Sequence, residues 1–127
     1  MSSYVSAQHN EPAPPLESLE AEFKRAVVVV HVHIKNFKVV QDLGGLYLYQ
    51  VRGSVEESFK GKLKKGQSLK YFVQLPYAEK PRKESQLIFF RELMYHDKIE
   101  LLELLHIRGA VLPEALTNVR NISLSQR

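Results

Sequence analysis

The chain has 127 residues and a mass of 14.6 kDa, enough for one compact domain with a single core. With 44% hydrophobic and 25% charged residues it has an ordinary globular composition, which excludes a disordered tail and a large multi-domain enzyme. The net charge of +4 is unevenly spread: Lys60 to Lys83 holds eight basic residues (Lys60, Lys62, Lys64, Lys65, Lys70, Lys80, Arg82, Lys83) against one acidic, Glu79.

There is no cysteine, which removes disulfides, thiol nucleophiles and thiolate metal sites and leaves the redox compartment open. No run approaches the roughly 18 apolar residues of a membrane helix. The N-terminus lacks the layout of a signal peptide. The chain is therefore expected either to be cytoplasmic or to have lost a signal.

Residues 1–14 have no periodic apolar face and are expected to form a flexible arm before one domain over 15–122 and a frayed tail over 123–127. From Pro15 to Arg25, Leu16, Leu19 and Phe23 fall on one side of a short amphipathic helix, with acids early and bases late as the helix dipole favours. Ala26 to Val40 is rich in β-branched residues and reads as one long strand. Its apolar set changes phase, from Val28, Val30, Val32 and Ile34 to Phe37 and Val39. A period of two switches face only through an extra residue, which predicts a bulge near Lys35 and Asn36.

After the turn Gln41 to Gly45, Tyr47, Tyr49, Val51 and Val55 line the inner face of a second strand. Gly53 sits on that same face and packs nothing, so it marks a bend or the close approach of another strand. Phe59 to Gly66 reads as a lysine-rich turn, and Leu69, Tyr71, Val73 and Leu75 as the inner face of a third strand ended by Pro76. A charged loop, Tyr77 to Ser85, precedes Leu87-Ile88-Phe89-Phe90, apolar on both faces as a covered strand requires.

Two readings compete over Asp97 to Gly109. Asp97 and Glu100 have capping-box spacing and Gly109 is a stop, which favours helix. The polar positions Glu100, Glu103 and His106 recur every three residues and drift around a helix, whereas Ile99, Leu101 and Leu105 would line a strand. Pro113 then opens a terminal helix through Ile122.

A helix leading into a valine-rich strand, then Tyr49-Gln50-Val51, Phe59-Lys60-Gly61, Lys65-Gly66, the strand Leu69 to Leu75 and Leu87 to Phe90, resembles the netrin-like domains. These are OB-fold barrels typified by tissue inhibitors of metalloproteinases, with cysteine-poor bacterial relatives. The resemblance covers roughly residues 18–92 and implies that Asp97 to Ile107 is a fifth strand, which would also remove two open sheet edges. It further implies a small non-enzymatic β-barrel that binds something, often protein, in a secreted or periplasmic setting once a signal peptide has been removed. The inhibitors act through an N-terminal cysteine on the target's zinc, and that mechanism cannot transfer to a chain without cysteine.

The expected fold is therefore mainly β, a five-stranded OB-like barrel with short N- and C-terminal helices. Protein binding is expected at a strand edge or at the loop Tyr77 to Ser85. The alternative is a polyanion or single-stranded nucleic acid held by Lys62, Lys64, Lys65 and Lys70, with Phe72 and Tyr77 as exposed stacking rings. His31 and His33, about 7 Å apart on one strand face, have a spacing that can chelate a metal, against the plainer reading of two half-exposed histidines. No cofactor is expected. The chain has no nucleophile elbow, phosphate loop or dinucleotide fingerprint, and Glu56 and Glu57 face opposite sides of a strand, so no enzymatic centre is expected either.

Overall fold

The computed structural model describes residues 14–126. The arm expected over residues 1–14 lies outside them except for Pro14, which is buried. Helix α1, Leu16–Arg25, buries Leu19 and Phe23 one turn apart and leaves Leu16 exposed. Its last carbonyls are met by Lys60, whose Nζ donates to Phe23 O at 2.7 Å and Lys24 O at 3.3 Å.

Strands β1 (Val28–Asp42) and β2 (Leu46–Lys60) form a long antiparallel hairpin. Their register slips between Ile34 and Asn36, so the bulge lies where the change of apolar phase placed it. Ahead of it Val30, Val32 and Ile34 enter the interior, and beyond it Phe37 takes over. Gly53 pairs with Ile34 at this point. A Cβ on Gly53 would stand 2.5 Å from His33 O and 2.8 Å from Val32 Cγ1, so the glycine is required by the close approach of β1.

Strand β3, Ser68–Pro76, pairs with β2, and β4, Ser85–Tyr95, pairs with the first half of β1. Residues Lys98–Ile107 form β5, so the competition between helix and strand ends in favour of strand. Asp97 does not cap a helix. It occupies a two-residue hairpin turn with His96, both in the left-handed region (φ 62° and 50°), as a type I′ turn requires. A short 3-10 turn, Gly109–Val111, leads into α2, Leu112–Ser125. The tail expected to fray from residue 123 is helical as far as Ser125, and Ser123 Oγ donates to Phe59 O at 2.9 Å.

The five strands close into a barrel-like ring in the order β1-β2-β3-β5-β4, the contact between β3 and β5 being a parallel one at Phe72 and Leu102. Val30, Val32, Val51, Tyr71, Ile88 and Phe90 are among the side chains that fill the ring. A second apolar layer lies outside it, where Val29, Phe59, Phe89, Leu105 and Ile107 meet Leu19 and Phe23 of α1 and Ala115, Val119 and Ile122 of α2. Among the described residues no helix is long and apolar enough to cross a membrane.

Candidate functional site

The basic segment does not form one groove. Lys62, Lys64 and Lys65 are exposed in the turn before β3, while Lys80, Arg82 and Lys83 are exposed in the loop after it. The nine residues of β3 separate the two groups by about 27 Å. Between them Lys70 lies 3.5 Å from Glu100 across the parallel contact. Phe72, expected as an exposed stacking ring, is only 1% exposed. It lies on the outer face of β3, but Leu102 and Tyr95 cover it, with Tyr95's ring centroid 4.7 Å away. Tyr77 is exposed as expected, at the opposite end of β3 from the lysine-rich turn.

His31 and His33 both face outward and are half-buried. His33 Nδ1 lies 3.2 Å from Ser85 Oγ. His31 Nε2 is buried with no hydrogen-bond partner, and burial, with help from Arg120, holds His31 below its usual range against the pull of Glu56 and Glu57. Glu57 itself is engaged by Arg120 through two hydrogen bonds of 2.7 and 3.0 Å. Among the described residues no group of three or more potential ligands stands close enough to hold a metal ion.

The interior of the ring carries polar groups that sequence reasoning did not place together. The β4–β5 register slips by one residue, pairing Phe89 with Leu105 but Phe90 with Glu103, so Leu104 is the extra residue of a bulge. Glu103 and His106 consequently share the inner face. Nδ1 of His106 and Oε2 of Glu103 are 2.5 Å apart, with both side chains almost wholly buried. Burial disfavours the charged imidazole, but Glu103 more than offsets this and raises the pKa of His106. Nearby, Arg108 grips Glu84 through Nε and Nη2, and Gln86 Nε2 donates to Glu84 Oε2 at 3.1 Å. Burial opposes ionisation of Glu84, yet these bonds bring its pKa below the usual value. Glu103, His106, Gln86 and Arg108 border a cavity of about 30 Å³ under the loop 77–84, room for a water or two. The three-residue recurrence of Glu100, Glu103 and His106 was the available signal, since one bulge puts positions i and i+3 of a strand on one face.

Exposed apolar side chains gather at two hairpin ends: Met94 and Ile99, paired and each 65% exposed, on β4–β5, and a stretch with a longer aromatic support at the far end of the β1–β2 hairpin. β4 accompanies β1 only as far as His33, with one further bond from Ile34 N to Glu84 O at 2.9 Å, so β1 and β2 continue beyond it as an arm. Along the arm Phe37, Tyr49, Tyr47 and Tyr77 make successive ring contacts, with centroids 5.8, 6.2 and 4.5 Å apart. Tyr77 is anchored through its hydroxyl to Asp42, whose Oδ1 also accepts from Gly44 N at 2.9 Å. The bond to Tyr77 leads in holding Asp42 below the usual carboxylate range. Tyr49 OH donates to Glu79 O at 3.2 Å, tying the loop to the arm. Val39, Leu43 and Tyr77 remain 46%, 37% and 47% exposed on this scaffold. No family model matches the chain, and no curated protein matches it.

Proposed function

We propose that the chain is a non-enzymatic binding module that docks a partner protein on its β1–β2 arm and the adjoining loop 77–85. The observation that carries the reading is the exposure of Val39, Leu43 and Tyr77 on an arm whose shape is held by ring stacking and the Tyr77 to Asp42 bond. Apolar groups presented on a rigid scaffold lose little conformational entropy on binding. The interior of the ring has no room for an organic ligand, since a 30 Å³ cavity is far below the roughly 300 Å³ or more that such a site needs; a larger depression, about 620 Å³ between the end of α1, β2 and the end of α2, is open to solvent. The ring order β1-β2-β3-β5-β4 and the flanking helices are in keeping with an OB-like barrel of the netrin-like kind. The test compares partner retention from an extract of the source cells by the intact chain, by Val39→Lys with Tyr77→Ala, and by Lys64→Glu with Lys65→Glu. A partner lost only with the arm variant is the expected result. Equal retention by all three would remove the reading.

A second reading, polyanion binding, is favoured by the exposure of Lys62, Lys64 and Lys65 within one turn. It requires affinity for heparin or a single-stranded oligonucleotide that falls steeply between about 50 and 200 mM salt and disappears with Lys64→Glu and Lys65→Glu.

A further inference from the structure

The arm has an unpaired side as well as an exposed face. From Asn36 to Asp42, β1 pairs with β2 alone, while the ladder with β4 has ended at His33. In an antiparallel strand alternate residues turn their N–H and C=O groups away from the partner, so this seven-residue stretch presents a row of donors and acceptors to solvent. Resting on the reading of the chain as a protein-binding module, we propose that this edge of β1 receives an acidic, extended segment of the partner as an added strand.

Charge selects the partner's chemistry. Lys38 is exposed on the stretch itself and Lys35 immediately before it, and Glu84 O, bonded to Ile34 N, brings the exposed Arg82 and Lys83 to its beginning. The nearby acids are already engaged: Glu84 by Arg108, and Asp42 by Tyr77 and Gly44 N. Arg108 balances Glu84 while Asp42 keeps its charge at the turn end of the stretch, so Lys35, Lys38, Arg82 and Lys83 leave the edge net positive, and a strand carrying Asp or Glu meets it favourably. Val39 gives such a strand an exposed apolar contact between its charges. The hairpin end of β4, Arg91 to Tyr95, also extends past its ladder with β1, but its charges, Arg91 and Glu92 beside Asp97 in the turn and Lys98 at the start of β5, are mixed and select no partner sign. Addition of a strand supplies main-chain hydrogen bonds for affinity and alternate side chains for specificity.

The experiment is selection of a displayed library of random nine-residue peptides on the full chain, with Val39→Glu, which removes the apolar contact and repels acidic strands, as counter-selection. The expected winners alternate apolar residues with Asp or Glu. On synthesis, N-methylation of the amides that face β1 should weaken them tenfold or more, and binding should slow amide exchange within residues 36–42 by a similar factor. A charge-reversing variant, Lys35→Glu with Lys38→Glu, should turn the selection toward Lys and Arg. Failure to enrich any peptide, enrichment of basic peptides by the unaltered chain, or indifference to N-methylation would each overturn strand addition. Peptides that bind without slowing exchange at 36–42 and are lost on Tyr77→Ala would overturn it while leaving protein docking on the arm intact. Retention of their folded circular dichroism by the variants keeps loss of fold out of the comparison.

Discussion

Glu103 and His106 stand three residues apart on one strand and still face each other inside the ring, 2.5 Å between carboxylate and imidazole. A regular strand would send them to opposite faces, so the pair exists only because Leu104 is bulged out of the ladder. A carboxylate and an imidazole in an interior filled, apart from neighbours such as Gln86, by Val, Ile, Leu and aromatic side chains stabilise the fold only when both are present.

The pair makes stability depend on pH. Because the folded pKa of His106 lies above its usual 6.5, the pair contributes fully below about pH 6.5 and its contribution is lost as pH rises through the raised value. Arg108 and Glu79 also act on the imidazole, in opposite senses. Glu103→Gln should cost about 1 to 3 kcal/mol near pH 6 and clearly less near pH 9. Urea unfolding of both proteins at the two pH values checks this, and His31, whose pKa is shifted the other way, cancels in the difference. A cost that does not change with pH would show that His106 is not charged in the fold.

Gly53→Ala tests the crossing of β1 over β2. The new methyl group would meet His33 O, a backbone atom that cannot turn aside, at 2.5 Å. Overpacking of this kind costs about 1 to 3 kcal/mol. A fall in Tm of at least roughly 4 °C is expected, at a few degrees per kcal/mol for a domain of this size. An unchanged Tm would mean that the bulge at Lys35 relaxes to admit the methyl group.

Phe72 and the lysine-rich turn should separate cleanly in mutagenesis. Phe72→Ala empties a site that is 1% exposed and should cost about 3 to 5 kcal/mol. Lys64→Glu changes an exposed turn residue and should stay within about 0.5 kcal/mol. Thermal melts of the two variants decide it. A mild effect at Phe72 would return that ring to the list of surface candidates.

What was legible in the sequence was what local pattern encodes. The phase change between Ile34 and Phe37 marked the bulge, and Gly53 on an inner face marked the close approach opposite it. What escaped depended on neighbours distant in the chain. Phe72 alternates like an outward residue and is outward, but β5 and the end of β4 lie over it. Asp97 has the spacing of a helix cap, and its use in a hairpin turn follows from Lys98–Ile107 having β4 to pair with. The aromatic arm was hidden because Tyr47 and Tyr77 belong to different elements and meet only once the sheet has formed.

The parallel contact between β3 and β5 has a bearing on how the chain folds. Three of the ring's joints are hairpins between strands adjacent in the chain, and such local pairings form early. The remaining two, β1 with β4 and β3 with β5, bring together residues far apart in sequence, and the second rests on the single register pair Phe72 and Leu102. The ring is thus two sheets, β1-β2-β3 and β4-β5, fastened along one six-pair ladder and clasped by one pair on the other side. What holds this clasp is therefore not main-chain pairing but the burial of Phe72 and Leu102 under Tyr95, with Lys70 and Glu100 beside them.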